Sequence, residues 1–368
     1  MSNALALLEV RGFRIRKGGA DLLDIPALAV APGETLSLIG PNGAGKSTLL
    51  LGLSGIEPPA AGELVFRGER VPPGAAALAY RRRVAMVFQE PLLFDTTVFE
   101  NVAAGLRLRG LARAEIDRRT GENLERFRIA HLSARSARTL SGGEAQRTSL
   151  ARAMAVAPEV LLLDEPFAAL DQPSRVVLLD DLAHTLRETG TTTVFATHDR
   201  AEAQLIADRV AVLEGGRVRQ VGSADEVLRR PADAFVAAFV GVENLLPVTI
   251  RSAAASKSLL ASLGDASLEI GGAAEGMTDG ASGLLCIRPE DVLLTATSRG
   301  DDALPGNCIA GQVSSVIPQG PLSKVTIDCG VRIVAAVSGH VARELALAPG
   351  REVAVTLRPS DLYVIPRG

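Results

Sequence analysis

The stretch GPNGAGKST at residues 40–48 limits the possible folds more than any other part of the sequence. It fits G-x-x-x-x-G-K-[ST] and lies between an apolar run, TLSLI, and a helical pattern, as a phosphate-binding loop requires. Its glycines let backbone N–H groups curl around phosphate oxygens, Lys46 adds a mobile positive charge, and Ser47 can offer its hydroxyl to Mg²⁺. The residues expected to hold a nucleoside triphosphate are Gly40, Pro41, Asn42, Gly43, Ala44, Gly45, Lys46, Ser47 and Thr48.

The length of the chain predicts two domains, because 368 residues are too many for one ordinary core. The pattern of apolar residues indicates where each domain lies. Over residues 1–240, short apolar runs separated by helical patterns (TLSLIG, RVAMVFQ, VLLLDEP, TTVFATHD, RVAVLEGG) indicate a buried parallel sheet and an α/β domain. Residues 92–157 are mostly helical in pattern and predict an inserted helical subdomain. Residues 241–368 change to valine-rich alternation with glycine turns, which predicts an all-β domain.

Composition argues against several classes of function. A formal net charge of −3 offers no concentrated basic face, so we expect no nucleic-acid partner. No apolar stretch approaches the roughly 18 residues of a membrane span, and the N-terminus lacks a signal-peptide pattern. Three widely spaced cysteines without metal-binding spacing predict reduced thiols in a cytoplasmic protein.

Two adjacent acids end the apolar run in EVLLLDEP at residues 159–166. At the end of a buried strand, Asp164 can hold Mg²⁺ through water, and Glu165 can orient and deprotonate the water that attacks a γ-phosphate. Ordinary strand-end acids are the alternative interpretation.

The stretch TLSGGEAQRTSLARAMA at residues 139–155 has a structural and a functional interpretation. Ser141 followed by Glu144 predicts a capping box for a helix. A capping box does not need Gly142 and Gly143, whose N–H groups with the Ser141 hydroxyl form an anion site at a helix N-terminus.

Together these motifs resemble the nucleotide-binding subunit of an ATP-binding-cassette (ABC) transporter, a P-loop NTPase. GPNGAGKST resembles the Walker A loop, LLLDEP the Walker B strand, and LSGGE the family signature, with Glu where Gln is commoner. VFQEP resembles the Q-loop through Gln89, AALD the D-loop through Asp171, and ATHDRAEA the switch through His198.

The resemblance implies ATP and Mg²⁺ as cofactors and gives each motif a role. Glu165 and His198 would be catalytic, and Ser47, Gln89 and Asp164 would hold the metal. Two copies would sandwich two ATP molecules head to tail, so that the Walker loop of one meets the signature of the other. The residues added to the ATP site in this way are Gln89, Ser141, Gly142, Gly143 and Asp171.

One position departs from the family pattern. Relatives usually place an aromatic residue that stacks on adenine almost 30 residues before the Walker lysine, where this chain has Lys17. The nearest aromatic residue is Phe13. An aliphatic or arginine side chain would have to supply any stacking on the base.

The second domain contains an internal repeat. CIRPEDVLL (286–294) and TLRPSDLYV (356–364) align without gaps, and ENLLPVTI (243–250) and GNCIAGQV (306–313) align more weakly. We predict two related β units that pair or pack together as small barrels. IRPEDVLL resembles the oligomer-binding-like (TOBE) domain that bacterial importer subunits often append, and the last 60 residues or so resemble small molybdate-binding modules. That resemblance makes Ser323, Lys324 and Ser338 candidates for an oxyanion site, with ordinary loop and surface residues as the alternative.

The function expected from these resemblances is the energy-coupling ATPase of an ABC importer at the cytoplasmic face of the bacterial inner membrane. Its partners would be a second copy, membrane permease subunits and, indirectly, a periplasmic or extracellular binding protein. The expected cargo is an inorganic oxyanion, with molybdate or tungstate ahead of sulfate. Iron(III), polyamine or sugar import, a soluble ABC ATPase without a transport role and an oxyanion sensor are the alternatives.

Overall fold

The computed structural model describes residues 6–252, 259–263, 266–273, 277–296 and 307–367. The chain divides into two compact units, Met1–Ala224 and Asp225–Gly368. This boundary precedes the expected one at residue 240, because the helices α8 (Ala224–Arg229) and α9 (Ala234–Phe239) group with the second unit. One contact that holds α8 there is the Arg288 guanidinium, which donates to the backbone oxygen of Leu228.

From residue 6 onward, where the structure describes it, the first unit contains two sheets and seven α-helices. Its strands are β1 (Leu8–Lys17), β2 (Ala20–Val30), β3 (Thr35–Ile39), β4 (Ala61–Phe66), β5 (Glu69–Arg70), β6 (Val84–Val87), β7 (Val160–Asp164), β8 (Thr192–Thr197), β9 (Arg209–Glu214) and β10 (Arg217–Ser223). Its helices are α1 (Lys46–Leu53), α2 (Leu78–Arg81), α3 (Val98–Leu108), α4 (Arg113–Arg126), α5 (Gly142–Ala155), α6 (Gln172–Thr189) and α7 (Arg200–Ile206), with 3₁₀ turns at Gly74–Ala77, Ala130–Leu132 and Ala137–Thr139.

The central sheet has the order β10-β9-β3-β8-β7-β6 and is parallel except for the β9–β10 pair. The five apolar runs identified in the sequence form β3, β6, β7, β8 and β9, so the prediction of a buried parallel sheet is confirmed. Alternate residues of β7 enter different cores: Leu161 and Leu163 pack with α3, α4 and α5, whereas Val160 and Leu162 pack with α1 and the antiparallel β2-β1-β4-β5 sheet. Side chains alternate along a strand, and a strand covered on both faces is therefore apolar throughout.

The described residues of the second unit form α8, α9, α10 (Gly339–Glu344) and two mostly antiparallel sheets. Its strands are β11 (Asn244–Ser252), β12 (Leu259–Leu263), β13 (Ala266–Ile270), β14 (Gly272–Ala273), β15 (Ser282–Ile287), β16 (Val292–Ala296), β17 (Cys308–Gln319), β18 (Leu322–Asp328), β19 (Arg332–Ser338), β20 (Glu352–Leu357) and β21 (Tyr363–Pro366). The sheet orders are β13-β12-β11-β15-β21-β14 and β16-β20-β17-β18-β19. Both sheets contribute to one apolar core, which confirms the expected β-rich domain.

The sequence repeat is also a structural repeat. CIRPEDVLL and TLRPSDLYV each form a strand, a 3₁₀ turn and a second strand: β15, Pro289–Asp291 and β16 in the first copy, and β20, Pro359–Asp361 and β21 in the second. The last strand of each copy pairs with the other copy, β16 with β20 and β21 with β15. The prediction that the two units pair is confirmed, and the pairing is an exchange of strands.

Two buried asparagines occupy equivalent positions in this arrangement. The Asn244 amide donates to the backbone oxygens of Ile287 at 3.2 Å and Val334 at 2.9 Å, and its oxygen accepts from Val334 N–H at 2.7 Å. The Asn307 amide makes the corresponding pair of bonds with the backbone of Glu269. Each amide thus satisfies backbone groups on an edge strand of the opposite sheet, β19 for Asn244 and β13 for Asn307, and each links the two repeats.

We expect Asn244→Ala to destabilise the second unit by about 3 kcal/mol, because it leaves several buried backbone groups without a partner. Asn307→Ala should have a similar effect, and Gln312→Ala, at an exposed position, should change stability by less than about 0.5 kcal/mol. All three cysteines lie in the second unit, so thiol labelling of the full chain during urea unfolding measures this unit alone. Equal effects at residues 244 and 312 would contradict the assigned role of Asn244.

Candidate functional site

The loop between β3 and α1 has the backbone of a phosphate cradle. Gly40, Gly43 and Gly45 have φ values of 158°, 79° and 101°. A Cβ at Gly40 would lie 2.3 Å from the Leu213 oxygen, so the loop passes close to its neighbours only because it lacks side chains there. No side chain caps the N-terminus of α1, and its first N–H groups are therefore available to an anion.

Lys46 is buried at the bottom of this loop with 5% of its surface exposed. Its ammonium donates to the backbone oxygens of Gly40 at 2.8 Å and Pro41 at 3.2 Å, and it lies 3.8 Å from the Glu165 carboxylate. Burial lowers the pKa of Lys46, and the negative charges of Glu165 and Asp164 oppose that shift. A phosphate in the loop would supply the opposite charge that a buried ammonium requires.

Ser47 and Asp164 form a pair that fits a hard divalent cation. The Ser47 hydroxyl donates to Oδ1 of Asp164 at 3.0 Å, at the end of β7. Burial raises the pKa of Asp164, and the bond from Ser47 acts in the opposite direction. A cation that prefers oxygen ligands, such as Mg²⁺, would stabilise the ionised form of a desolvated carboxylate that lies beside a hydroxyl. Gln89, the third residue predicted to hold the metal, is exposed two residues after β6.

Glu165 and His198 come together at the ends of two neighbouring strands. Oε2 of Glu165 lies 2.9 Å from Nδ1 of His198, while its Oε1 faces Lys46. The backbone of Glu165 has a φ of 44°, a left-handed conformation that is strained for a residue with a side chain. Strain of this kind persists where the surroundings fix the geometry, and here it directs the carboxylate between the lysine and the histidine.

The signature residues lie at the N-terminus of α5. Ser141 caps this helix by accepting from Glu144 N–H, and the Glu144 carboxylate accepts from Ser141 N–H at 2.7 Å. The capping box predicted from the sequence is therefore present. Gly142 is exposed beside it, and among the described residues no hydrogen bond or ion pair joins this segment to the loop at residues 40–47. The structure also places Asp171 at a helix N-cap, where it accepts from Ser174 N–H at 2.8 Å before α6.

The loop around His198 depends on Thr197, Asp199 and Glu202, whose contacts the switch motif did not predict. The Thr197 hydroxyl donates to Glu202 at 2.5 Å and accepts from Asp199 N–H at 3.0 Å. Asp199 in turn caps α7 by accepting from Ala201 N–H at 2.8 Å. The pattern Asp-x-x-Glu at residues 199–202 is a helix-start signal that could have revealed this cluster.

The aromatic residue nearest the expected adenine position is unavailable for stacking. Phe13 is fully buried in the core, and a Cβ on Gly52 would lie 2.8 Å from its ring. Lys17, at the expected position, ends β1 and is exposed. Stacking by an aliphatic or arginine side chain therefore stays a prediction.

The three oxyanion candidates lie on β18 and at the end of β19, two strands that pair with each other. Ser323 and Lys324 are successive residues of β18, so their side chains point to opposite faces, with Ser323 buried. The Lys324 ammonium forms an ion pair with Glu243. Ser338 caps α10 by accepting from Val341 N–H at 3.2 Å. Lys324 and Ser338 thus each have a structural contact of their own.

A phosphate cradle, two strand-end acids and a histidine on a parallel sheet define a nucleotide-hydrolysing ATPase of the ABC class. The family model described as "ABC transporter" matches residues 23–168, and the one described as "TOBE domain" matches residues 285–365.

Two curated relatives align over almost the whole chain, and a third aligns over about two thirds of it. The spermidine/putrescine import ATP-binding protein PotA of Roseobacter denitrificans is 36% identical over 95% of this chain and 94% of its own. The sulfate/thiosulfate import ATP-binding protein CysA of Nitrosomonas europaea is 36% identical over 97% of each chain. The Fe(3+) ions import ATP-binding protein FbpC of Streptomyces avermitilis is 42% identical over 68% of this chain and 72% of its own. The chain belongs to the ATP-binding subunits of ABC importers, and it is an ATPase whose hydrolysis is coupled to transport.

Solved structures agree with this assignment. The cbiO1 subunit of Clostridium perfringens, part of the cbiONQ transporter complex, superposes with a TM-score of 0.58 at 30% identity, covering 65% of this chain and 95% of its own. A dimeric ATP-binding cassette bound to ADP and phosphate superposes with a TM-score of 0.55 at 27% identity, covering 59% of this chain and 98% of its own. None of the helices in the described part of this chain is long and apolar enough to span a membrane.

We expect Glu165→Gly to be more stable than Glu165→Gln by about 1 kcal/mol, because only glycine adopts the positive φ at this position without strain. Both variants lack the charged carboxylate, so the loss of its charge does not contribute to their difference. The same pair at Glu122, inside α4, should show the opposite order, with glycine less stable by about 1 kcal/mol. Urea unfolding of the full chain, followed by far-UV circular dichroism, measures both pairs. Equal stability of the two Glu165 variants would show that the backbone is not strained.

Proposed function

We propose that Glu165 is the general base for ATP hydrolysis and that His198 holds it in place. The observation that carries this proposal is the position of Glu165 between Lys46 at 3.8 Å and His198 at 2.9 Å. Glu165 would take a proton from water as that water attacks the γ-phosphorus, and the bond from the γ-phosphorus to the bridging oxygen of ADP would break. Lys46 and the N–H groups of α1 would stabilise the negative charge on the phosphate oxygens.

Ser47 and Asp164 would hold Mg²⁺, with Gln89 as a further ligand. The metal would neutralise charge on the phosphates. Asp164 fits this role because its carboxylate is desolvated and already accepts from Ser47 at 3.0 Å. The other predicted residues of the loop, residues 40–48, would surround the phosphates through their backbone.

Two copies would complete the site head to tail. Among the described residues, no hydrogen bond joins the signature at residues 141–143 to the phosphate loop. The dimeric ATP-binding cassette that superposes on this chain supports a role of the signature toward a second copy. Asp171 and the other D-loop residues would lie near that junction. The helical segment α3–α5 would contact membrane permease subunits through the Gln89 region. The chain would thus act at the cytoplasmic face of a bacterial inner membrane, with an external binding protein delivering the cargo.

For cargo we propose an inorganic oxyanion, with sulfate as a better candidate than molybdate or tungstate. The expectation of molybdate or tungstate rests on the resemblance of about the last 60 residues to molybdate-binding modules, whereas the relatives named above are sulfate, polyamine and iron(III) import proteins. A sulfate/thiosulfate relative that aligns over 97% of the chain supports sulfate. Polyamine import is the second candidate, since the spermidine/putrescine relative aligns over 95%. Iron(III) import is the third, on the FbpC relative.

Replacing Glu165 by Gln should keep ATP binding and lower the hydrolysis rate by about 10²–10⁴-fold, the usual contribution of a general base. Because ATP would persist in the site, this variant should also form an ATP-dependent dimer, measurable by sedimentation. Glu125→Gln, at an exposed position on α4, serves as the matched control. Hydrolysis at the wild-type rate in Glu165→Gln would refute the assigned role.

A cargo experiment would use a strain that lacks this chain. Wild type should restore uptake of one labelled solute among sulfate, molybdate, iron(III) and spermidine, and Glu165→Gln should not. Restoration of spermidine uptake alone would overturn the oxyanion assignment but leave the transport ATPase intact.

A further inference from the structure

Arg175 lies in the first turn of α6, immediately after the segment that connects the catalytic strand to this helix. Its Nη2 donates to the backbone oxygen of Leu170 at 3.2 Å. Leu170 belongs to the D-loop, residues 168–171, which follows Glu165 along the chain. One part of the guanidinium is thus fixed to the segment that carries Glu165.

Another part of the same guanidinium faces the segment that carries His198. Nη1 of Arg175 lies 3.8 Å from Oδ2 of Asp199, and Nε lies 3.9 Å from Oε1 of Glu202. Asp199 directly follows His198 in the chain. Glu202 accepts the hydroxyl hydrogen of Thr197, the residue that directly precedes His198. The two carboxylates are therefore joined to the residues on either side of His198.

The contact between Arg175 and these carboxylates is incomplete. Nε of Arg175 is a buried donor that has no hydrogen-bond partner in the described part of the chain. Normal N–H···O distances are about 2.7–3.2 Å, so both carboxylates lie less than about 1 Å beyond bonding range. Glu202 is itself buried, and that burial raises its pKa. A buried donor and a buried acceptor that face each other just out of range would both gain from closer approach.

The Glu165 and His198 segments are linked in two places. At the ATP site, the Glu165 carboxylate contacts the His198 ring at 2.9 Å. Away from the ATP site, Arg175 donates to the backbone of the Glu165 segment at Leu170, and its guanidinium faces Asp199 and Glu202 in the His198 segment. A movement of the histidine segment toward α6 would complete the second link and hold the first one in a fixed geometry.

We propose that Arg175 is a positioning residue that couples the D-loop to the His198 segment, and that its guanidinium closes on Glu202 and Asp199 when ATP occupies the site. The proposal rests on the ATPase mechanism proposed above and adds to it a residue that does not touch the nucleotide. Arginine suits this position because its planar fork can bind the Leu170 oxygen and both carboxylates at once, whereas lysine offers a single ammonium.

The test uses full-length Arg175→Met, Arg175→Lys and Glu202→Gln, with Arg187→Met, at an exposed position near the end of α6, as the matched control. We expect Arg175→Met to lower kcat at least about tenfold, since small displacements of reacting groups have effects of this order. The Kd for ATP should stay within about threefold of the wild-type value, because Arg175 does not touch the nucleotide and its loss should leave ground-state binding unchanged. Arg175→Lys should recover only part of the rate. Glu202→Gln combined with Arg175→Met should be no slower than Arg175→Met alone.

A second readout does not depend on turnover. In Glu165→Gln, ATP should slow amide hydrogen exchange in residues 197–202, and adding Arg175→Met should abolish that protection. Equal activity of Arg175→Met and Arg187→Met would overturn the proposal. Additive losses of kcat from Arg175→Met and Glu202→Gln would also overturn it. A lower kcat in Arg175→Met that is accompanied by comparable losses of thermal stability and ATP affinity would overturn it as well. Wild type that hydrolyses no ATP would refute the proposed function, whereas wild-type rates in Arg175→Met would overturn this inference alone.

Discussion

The structure of the first unit depends on the common edge at which β3, β8 and β7 end. These neighbouring parallel strands pair Ile39 with Thr197, and Asp164 with Ala196. Because parallel strands end at the same edge, residues far apart in sequence meet there: the phosphate loop follows β3, the two acids end β7, and His198 follows β8. The apolar cores on both faces of the sheet hold this edge in place, so packing remote from the nucleotide determines the geometry of the chemistry.

Much of this site could be predicted from the sequence, because its parts are local. The glycine spacing of the phosphate loop, the apolar run before Asp164 and the capping box at Ser141 each depend on residues close together in the chain. The positive φ of Glu165 could not be predicted, since it results from the packing of the whole strand end. Arg175 was missed for the same reason: the residues that it faces lie on a different segment, brought near by the pairing of β7 with β8.

The oxyanion candidates show that adjacency in sequence does not by itself predict that two side chains share a site. Ser323 and Lys324 are adjacent in sequence, but adjacency along a strand separates two side chains onto opposite faces. The internal repeat was informative because it is a relation between whole strands rather than single residues. It predicted that the two β units would associate, although it did not predict that each would pass its last strand to the other.

That exchange has a consequence for how such a unit could arise. Neither repeat is a self-sufficient fold, because β16 and β21 each complete the sheet of the other copy. A short ancestral chain with one repeat would expose an unpaired strand until it met an identical chain, and the symmetric pair would then bury Asn244 and Asn307 reciprocally. Gene duplication followed by fusion would convert such a homodimer into one polypeptide and free each half to diverge. The present chain thus carries an obligate dimer within a single subunit.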